Sequence, residues 1–307
     1  MDANVAPRLM TPTPRVLTGD NPFGVPAEFD CVVDRSFGRA PDSRGPATGN
    51  MAIRCDQPHR RWTLRFDGAG ELTSRDATAL GLAGAGAPTP MRFEIAAEAV
   101  SPIWDMPASV GLAEMADADA VYAAGHHQQG FTARGELTVG GRRWDVDGVA
   151  YRDHSWGPRE LSDLGGDAFV SLVFPDSGRV VSGWELWNLA GQVNFRGFYM
   201  WEDGRMELIS EGSVQRAVDW ASNPRTGLVL TLRRASGGVL TLPGEVLNGV
   251  TISVLTPNEN VNGAAIGADA FIANEDIVRY TWPDGEAGFG HAERSLRAST
   301  GATGDTV

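Results

Sequence analysis

Cysteine is nearly absent from this chain. Cys31 and Cys55 are the only two in 307 residues, with no CxxC pair and no zinc-finger spacing, so a disulfide framework and a cysteine-built metal site are not expected. Thiols this sparse point to a reducing compartment, with cytoplasm the expected location. Basic side chains are short as well: 26 Lys and Arg stand against 39 Asp and Glu, a formal charge of -13. No basic block is present that could track phosphates, which argues against nucleic acid and an anionic membrane surface as partners. Long apolar runs are missing too. No stretch approaches the ~18 apolar residues of a membrane span, and Met1 to Asp20 lacks the apolar core of a signal peptide. Neither membrane insertion nor export is expected.

Motifs for cofactors are equally scarce. Gly81 to Gly86 lies in an Ala-rich segment without GxGxxG or GK[ST], so nucleotide binding has no support. His126 and His127 are adjacent, which makes them poor joint metal ligands, and His59, His154 and His291 are scattered. No HxH or HExxH motif occurs. The reading is no metal and no cofactor, with these histidines satisfied or at the surface.

Helical periodicity is scarce; 108–124 is the best candidate for one or two short helical turns. What is present is strand and turn. Gly135 to Val139, Gly140-Gly141 and Arg142 to Val146 read as a hairpin with a two-glycine turn. Pro175 to Gly178, Glu202 to Gly204, Ser236 to Gly238 and Pro283 to Gly285 each separate apolar runs. Turn signals at roughly 8–12-residue spacing mark antiparallel sandwiches or barrels. The fold class is all-β.

The length exceeds that of most single cores, so two domains are expected. The small, polar stretch Leu189 to Asn194 is the candidate boundary, giving domains 1–190 and 191–307. The last residues, 298–307, are small and polar and are expected to be disordered. The stretch 102–124, containing Pro and Met, is a candidate lid.

The densest chemistry is the run Tyr151-Arg152-Asp153-His154-Ser155-Trp156-Gly157, followed by Pro158-Arg159. If it is extended, as its position after a hairpin suggests, Tyr151, Asp153 and Ser155 share one face and Arg152, His154 and Trp156 the other. An Asp153 facing an apolar cavity would resist ionisation, since loss of hydration disfavours the carboxylate. A carboxyl kept neutral in this way can act as a general acid. The plainer alternative is a structural junction, with ion pairs among Arg152, Asp153 and Arg159 and Trp156 as a core plug. A serine-hydrolase triad is rejected, because neighbours on a strand point to opposite faces and no GxSxG elbow is present. Glu293, between His291 and Arg294, reads as a surface ion pair. Trp184 and Trp187 should face opposite ways.

The Gly148, Tyr151, Asp153, Trp156 and Gly157 pattern resembles the signature of the superfamily that contains carotenoid 1,2-hydratase, AttH-like proteins, bacterial terpenoid cyclases and fungal Diels–Alderases. Gln129-Gly130 with Gly135, Phe169 to Phe174 with Gly178, Asn223 to Gly227 and Gly288 to Glu293 resemble further family features, so the likeness runs from about Val100 onward. The resemblance implies two tandem lipocalin-like antiparallel β-barrel or sandwich domains around a deep apolar cavity. It implies a cofactor-independent enzyme acting on a lipophilic terpenoid-, steroid- or polyketide-like substrate. The reaction would be acid-initiated hydration or dehydration, cyclisation or isomerisation. Asp153 would then be the proton donor and Tyr151 its catalytic neighbour. His154, Trp156, His127, Gln129, Trp184 and Trp104 would contact substrate, Trp rings steadying a cation. The rival reading is a non-catalytic, lipocalin-like carrier of a lipophilic ligand.

Overall fold

The computed structural model describes residues 15–18, 31–33, 47–48, 51–74, 87–106, 125–156, 163–209, 211–216, 227–256, 259–262 and 271–297. The candidate helical segment, most of the candidate lid, the Asn223 loop and the C-terminal tail lie outside these residues. Strands dominate the described residues, as the turn spacing predicts. A first sheet holds β1 (Arg15–Thr18), β2 (Cys31–Val33), β3 (Ala47–Thr48), β4 (Met51–Gln57), β5 (Arg61–Ser74), β6 (Ala87–Ala99), β7 (Trp104–Asp105), β8 (Gly125–Val139) and β9 (Arg142–Trp156). A second sheet holds β10 (Leu164–Phe174), β11 (Arg179–Asn188), β12 (Val193–Glu202), β13 (Arg205–Ile209), β14 (Glu211–Val214), β15 (Gly227–Arg233), β16 (Val239–Thr256), β17 (Glu259–Asn262), β18 (Phe271–Thr281) and β19 (Ala287–Arg297).

The second sheet runs β13-β12-β11-β10-β19-β18-β16-β15-β14. Its two end strands, β13 and β14, are separated by one residue in the chain, so the sheet curls back on itself into a nearly closed barrel. Alternation explains the curl. Leu228, Leu230 and Leu232 of β15 point inward and are buried, while Val229 between them is exposed. Inside, they meet Val170, Leu172, Phe174, Phe198, Leu242 and Tyr280.

The first sheet runs β2-β1-β5-β6-β8-β7, with β4 added on β5 and β9 on β8. The short β1 pairs parallel to β5. The β8–β9 hairpin turns on Gly140 and Gly141, whose φ values of 56° and 85° are those a tight two-residue turn requires. Asp203 and Gly204 do the same between β12 and β13, with φ of 51° and 74°.

The pairing changes sheets between Trp156 and Leu164, upstream of the 190/191 boundary read from the sequence. Within Leu189 to Asn194, residues 189–192 form the turn of the β11–β12 hairpin, closed by Asn188 and Gln192, and Val193 and Asn194 begin β12. The physical reason lies in β10 and β11, which are buried on both faces. One face lines the second barrel. The other packs under the β8–β9 hairpin, through Trp104, Val173, Val180, Trp184, Leu186 and Phe195. Gly130 permits this approach: a Cβ there would come within 2.7 Å of Val180. Among the described residues, no helix is long and apolar enough to cross a membrane.

Candidate functional site

The β8–β9 register sets the site. Pairing outward from the two-glycine turn places Gln128 opposite Asp153, Gly130 opposite Tyr151 and His126 opposite Ser155. Period two then puts His126, Gln128, Tyr151, Asp153 and Ser155 on the face that meets the second sheet, as the alternation of the signature predicts.

On that face Asp153 is held by two neighbours. Its Oδ1 lies 2.5 Å from His126 Nε2 and accepts from Gln128 Nε2 at 3.1 Å. At this separation the two groups form a hydrogen-bonded imidazole–carboxyl pair. Gln128 is oriented from its other end. Its Oε1 accepts from the Tyr151 hydroxyl at 2.8 Å, with the Ser182 hydroxyl 2.9 Å away. The Tyr151 hydroxyl also lies 2.9 Å from that of Tyr199. Burial first, and the adjacent Tyr199 next, push the Tyr151 phenol well up, and burial likewise raises that of Tyr199. Both phenols therefore act as neutral hydrogen-bonding groups that aim Gln128 at Asp153.

Asp153 itself is not sealed in apolar surroundings. Its side chain is 40% exposed, against 1% for His126. It opens on a cavity of about 880 Å³ between the two sheets. The walls are largely apolar, from Val149, Tyr151, Phe169, Val173 and Phe289, with Ser171 and His291 among the polar members and Thr132, Arg134, Asp147 and Asp176 along the rest of the lining. His291 Nε2 lies 2.5 Å from Glu275 Oε2. Burial opposes its protonation, but Glu275 first, then Asp276 and Asp153, raise its pKa above the ordinary value. Phe169 lies between the two groups, its ring 6.3 Å from Tyr151 and 6.0 Å from His291.

The other sequence candidates are distributed as follows. Trp104 and Trp184 reach the inter-sheet core, in edge contact at 5.9 Å, with Trp184 packing 4.5 Å from His126. They back the His126–Asp153 unit and do not line the cavity. His127, Gln129 and His154 are on the opposite face of the hairpin. His127 meets Asp105 at 3.4 Å, and burial, then Arg152 and His127, lowers the pKa of His154. Gln129 is a buried pin, its Nε2 donating to the carbonyls of His59 and Ser101, both at 2.8 Å. The strand carrying Trp156 ends beside Gly125, and its side chain lies outside the described residues. Trp184 and Trp187 do face opposite ways, the first toward the inter-sheet core and the second into the barrel. Arg294 turns into the barrel to pair with Asp276, both fully buried, while Glu293 accepts from Ser295. The surface ion pair read from the sequence is replaced by this buried one.

His126, Gln128, Ser182 and Tyr199 were not among the sequence candidates. The first two were within reach of sequence reasoning: counting back equally from Gly140-Gly141 places Gln128 opposite Asp153. Ser182 and Tyr199 come from the other sheet, and no local pattern links them to the signature. Among the described residues, no group of three or more His, Cys, Asp or Glu is arranged to hold a metal ion.

Residues 28–297 match the family defined as a domain of unknown function, DUF7064. No curated protein matches the sequence. Among solved structures, an AttH candidate from Nitrosomonas europaea aligns with a TM-score of 0.53 at 12% identity, over 86% of this chain and 75% of the other. It shares the tandem β-fold that the signature implies. Kievitone hydratase from Nectria haematococca aligns at 0.49 and 12% identity, over 89% and 76%. CghA with Sch210972 aligns at 0.46 and 14% identity, over 81% and 74%.

Proposed function

We propose that this chain, which belongs to the DUF7064 family, is a cofactor-independent enzyme that moves protons on a lipophilic terpenoid-, steroid- or polyketide-like substrate. The reaction is hydration or dehydration, cyclisation or isomerisation, with Asp153 as the proton-transfer residue. One observation carries this reading: the carboxyl of Asp153, paired with His126, opens on a largely apolar cavity of about 880 Å³. The volume suits a drug-sized apolar ligand. Protonation of an alkene needs an acid whose conjugate base is stabilised where it forms, and His126 and Gln128 lie within hydrogen-bond reach of one oxygen of that carboxyl. Tyr151 acts through Gln128 as a positioning residue, and the rings of Tyr151 and Phe169 can face positive charge developing on the substrate. Trp104 and Trp184 support this reading only from behind, by fixing His126. The sparse cysteines favour a reducing compartment, the cytoplasm.

Asp153→Asn separates catalysis from carriage. Purified wild type and variant are examined by native mass spectrometry and organic extraction after expression in the same host. An apolar compound altered by wild type but bound intact by the variant is the expected result. The same compound bound unchanged by both would make the protein a carrier.

A further inference from the structure

The cavity has a second ionisable wall. His291 on β19 stands across it from Asp153, joined to Glu275 of β18 through Nε2 at 2.5 Å. Among the described residues nothing hydrogen-bonds its Nδ1, which leaves that atom for a ligand. Glycine at position 290 lets β19 lie close against β10, since a Cβ there would come within 1.7 Å of the Ser171 carbonyl oxygen. This close approach sets His291 beside Phe169, the ring that also approaches Tyr151. The charged and titratable groups near His291 come from every neighbouring strand: Glu275 on β18, with Asp276 behind it on the barrel side, Asp167 on β10, Glu293 on its own strand, and Asp153 with Tyr151 on β9. A His–Glu pair serving only to tie β18 to β19 would have no reason to face the same apolar cavity as the Asp153–His126 unit.

We propose that His291, held by Glu275, is the second proton-transfer residue of the cavity, acting on the hydroxyl of a lipophilic alcohol while Asp153 acts on the neighbouring carbon. The proposal rests on the enzymatic reading above and narrows it to water loss and its reverse. In the elimination direction, the imidazolium passes its Nδ1 proton to the hydroxyl oxygen. The C–O bond breaks and its electron pair leaves with water. The Asp153 carboxylate takes a proton from the adjacent carbon, and the C–H electron pair becomes the new double bond. One proton enters the substrate and one leaves, so no oxidant or reductant is needed. Hydration is the same path reversed, with Asp153 protonating the alkene carbon and neutral His291 accepting a proton from the attacking water. The positive bias that Glu275, Asp276 and Asp153 impose on His291 favours the form ready for elimination.

The test follows the His291 imidazole by ring NMR across pH in the full chain, assigned by its loss in His291→Gln. The expected midpoint lies above the ordinary ~6.5. It should fall by about a few tenths of a pH unit or more in Asp153→Asn, and further in Glu275→Gln. A second readout incubates wild type, Asp153→Asn and His291→Asn with nerolidol, a lipophilic tertiary allylic alcohol, in water labelled with heavy oxygen. Label entering the alcohol with wild type and lost in both variants is the expected result. A His291 midpoint indifferent to Asp153→Asn overturns the proposal whatever nerolidol does, and leaves the role of Asp153 standing. Equal labelling by wild type and His291→Asn overturns it as well. A coupled midpoint, with no labelling and every extracted compound unchanged, removes the enzymatic reading and this proposal with it.

Discussion

Asp167 gives the sharpest thermodynamic test of how the sheets are assembled. It lies on β10 beneath the first sheet, is 9% exposed, and its Oδ1 has no hydrogen-bond partner among the described residues. Burial, with Glu275 adding to it, raises its pKa to about 7, against the opposing influence of the nearby Ser295 hydroxyl and the charge of His291. In the unfolded chain the same carboxyl ionises near its ordinary 3.8. Below that pH both states hold the proton and Asp167 adds no pH-dependent cost. As pH rises, the unfolded state releases its proton first, so folding stability falls until the native carboxyl ionises near 7. A pKa raised from 3.8 to about 7 corresponds to a loss of up to about 4 kcal/mol, at roughly 1.4 kcal/mol per pH unit. Asp167→Asn keeps the shape and removes the titration. Urea denaturation of both proteins between about pH 4 and about pH 8 should show the variant gaining on wild type by several kcal/mol across that window. A stability difference flat to within about 1 kcal/mol across the range would refute the claim that Asp167 is held in a low-dielectric site.

Three further substitutions probe separate parts of the structure. Arg294→Met leaves Asp276 as an uncompensated charge in the second barrel and should cost about 3–5 kcal/mol, with Asp276→Leu recovering much of it; equilibrium denaturation of the single and double variants reads both. Tyr151→Phe removes the hydroxyl that aims Gln128 and contacts Tyr199 and should cost about 1–3 kcal/mol by the same measurement, while lowering turnover of any compound altered by wild type. Gly141→Val places a β-branched residue at a φ of 85° and should cost about 1–2 kcal/mol, whereas Gly141→Asn should cost much less, as a comparison of thermal midpoints would show.

How far the sequence discloses this molecule depends on the range of the signal. The Gly140-Gly141 hairpin, the Asp203-Gly204 turn and the alternation along β15 are local, and each stands in the structure where the pattern puts it. The facing of Tyr151 with Asp153 is equally local, because period two fixes it once the strand is known. The substrate-contact set failed to converge for the same reason. His127, Gln129 and His154 were expected to contact substrate, and on the hairpin they lie on the far face from Asp153, as the alternation already placed His154. The sheet boundary was hidden by β10 and β11, whose unbroken apolar runs read as core of whatever precedes them. Only the pairing of β10 with β19, far along the chain, shows to which sheet they belong.

The space between the sheets is divided in a way that bears on chemistry. At one end Trp104, Trp184, Leu186 and Phe195 form an apolar plug against which His126 packs. At the other end the sheets part around a cavity edged by Asp153, Ser171 and His291. Polar groups on a covered face cost stability unless they are hydrogen-bonded. An apolar filling would hold two sheets together more cheaply than Asp167, Ser171, Ser182, Glu275 and His291 do. The plug settles the spacing of β9 from the second sheet, and the cavity then keeps Asp153 and His291 apart without either touching the other. A ligand placed between two such groups meets a proton source on one wall and a proton acceptor on the other. That is the arrangement an addition or elimination needs, and packing alone gives no reason for it.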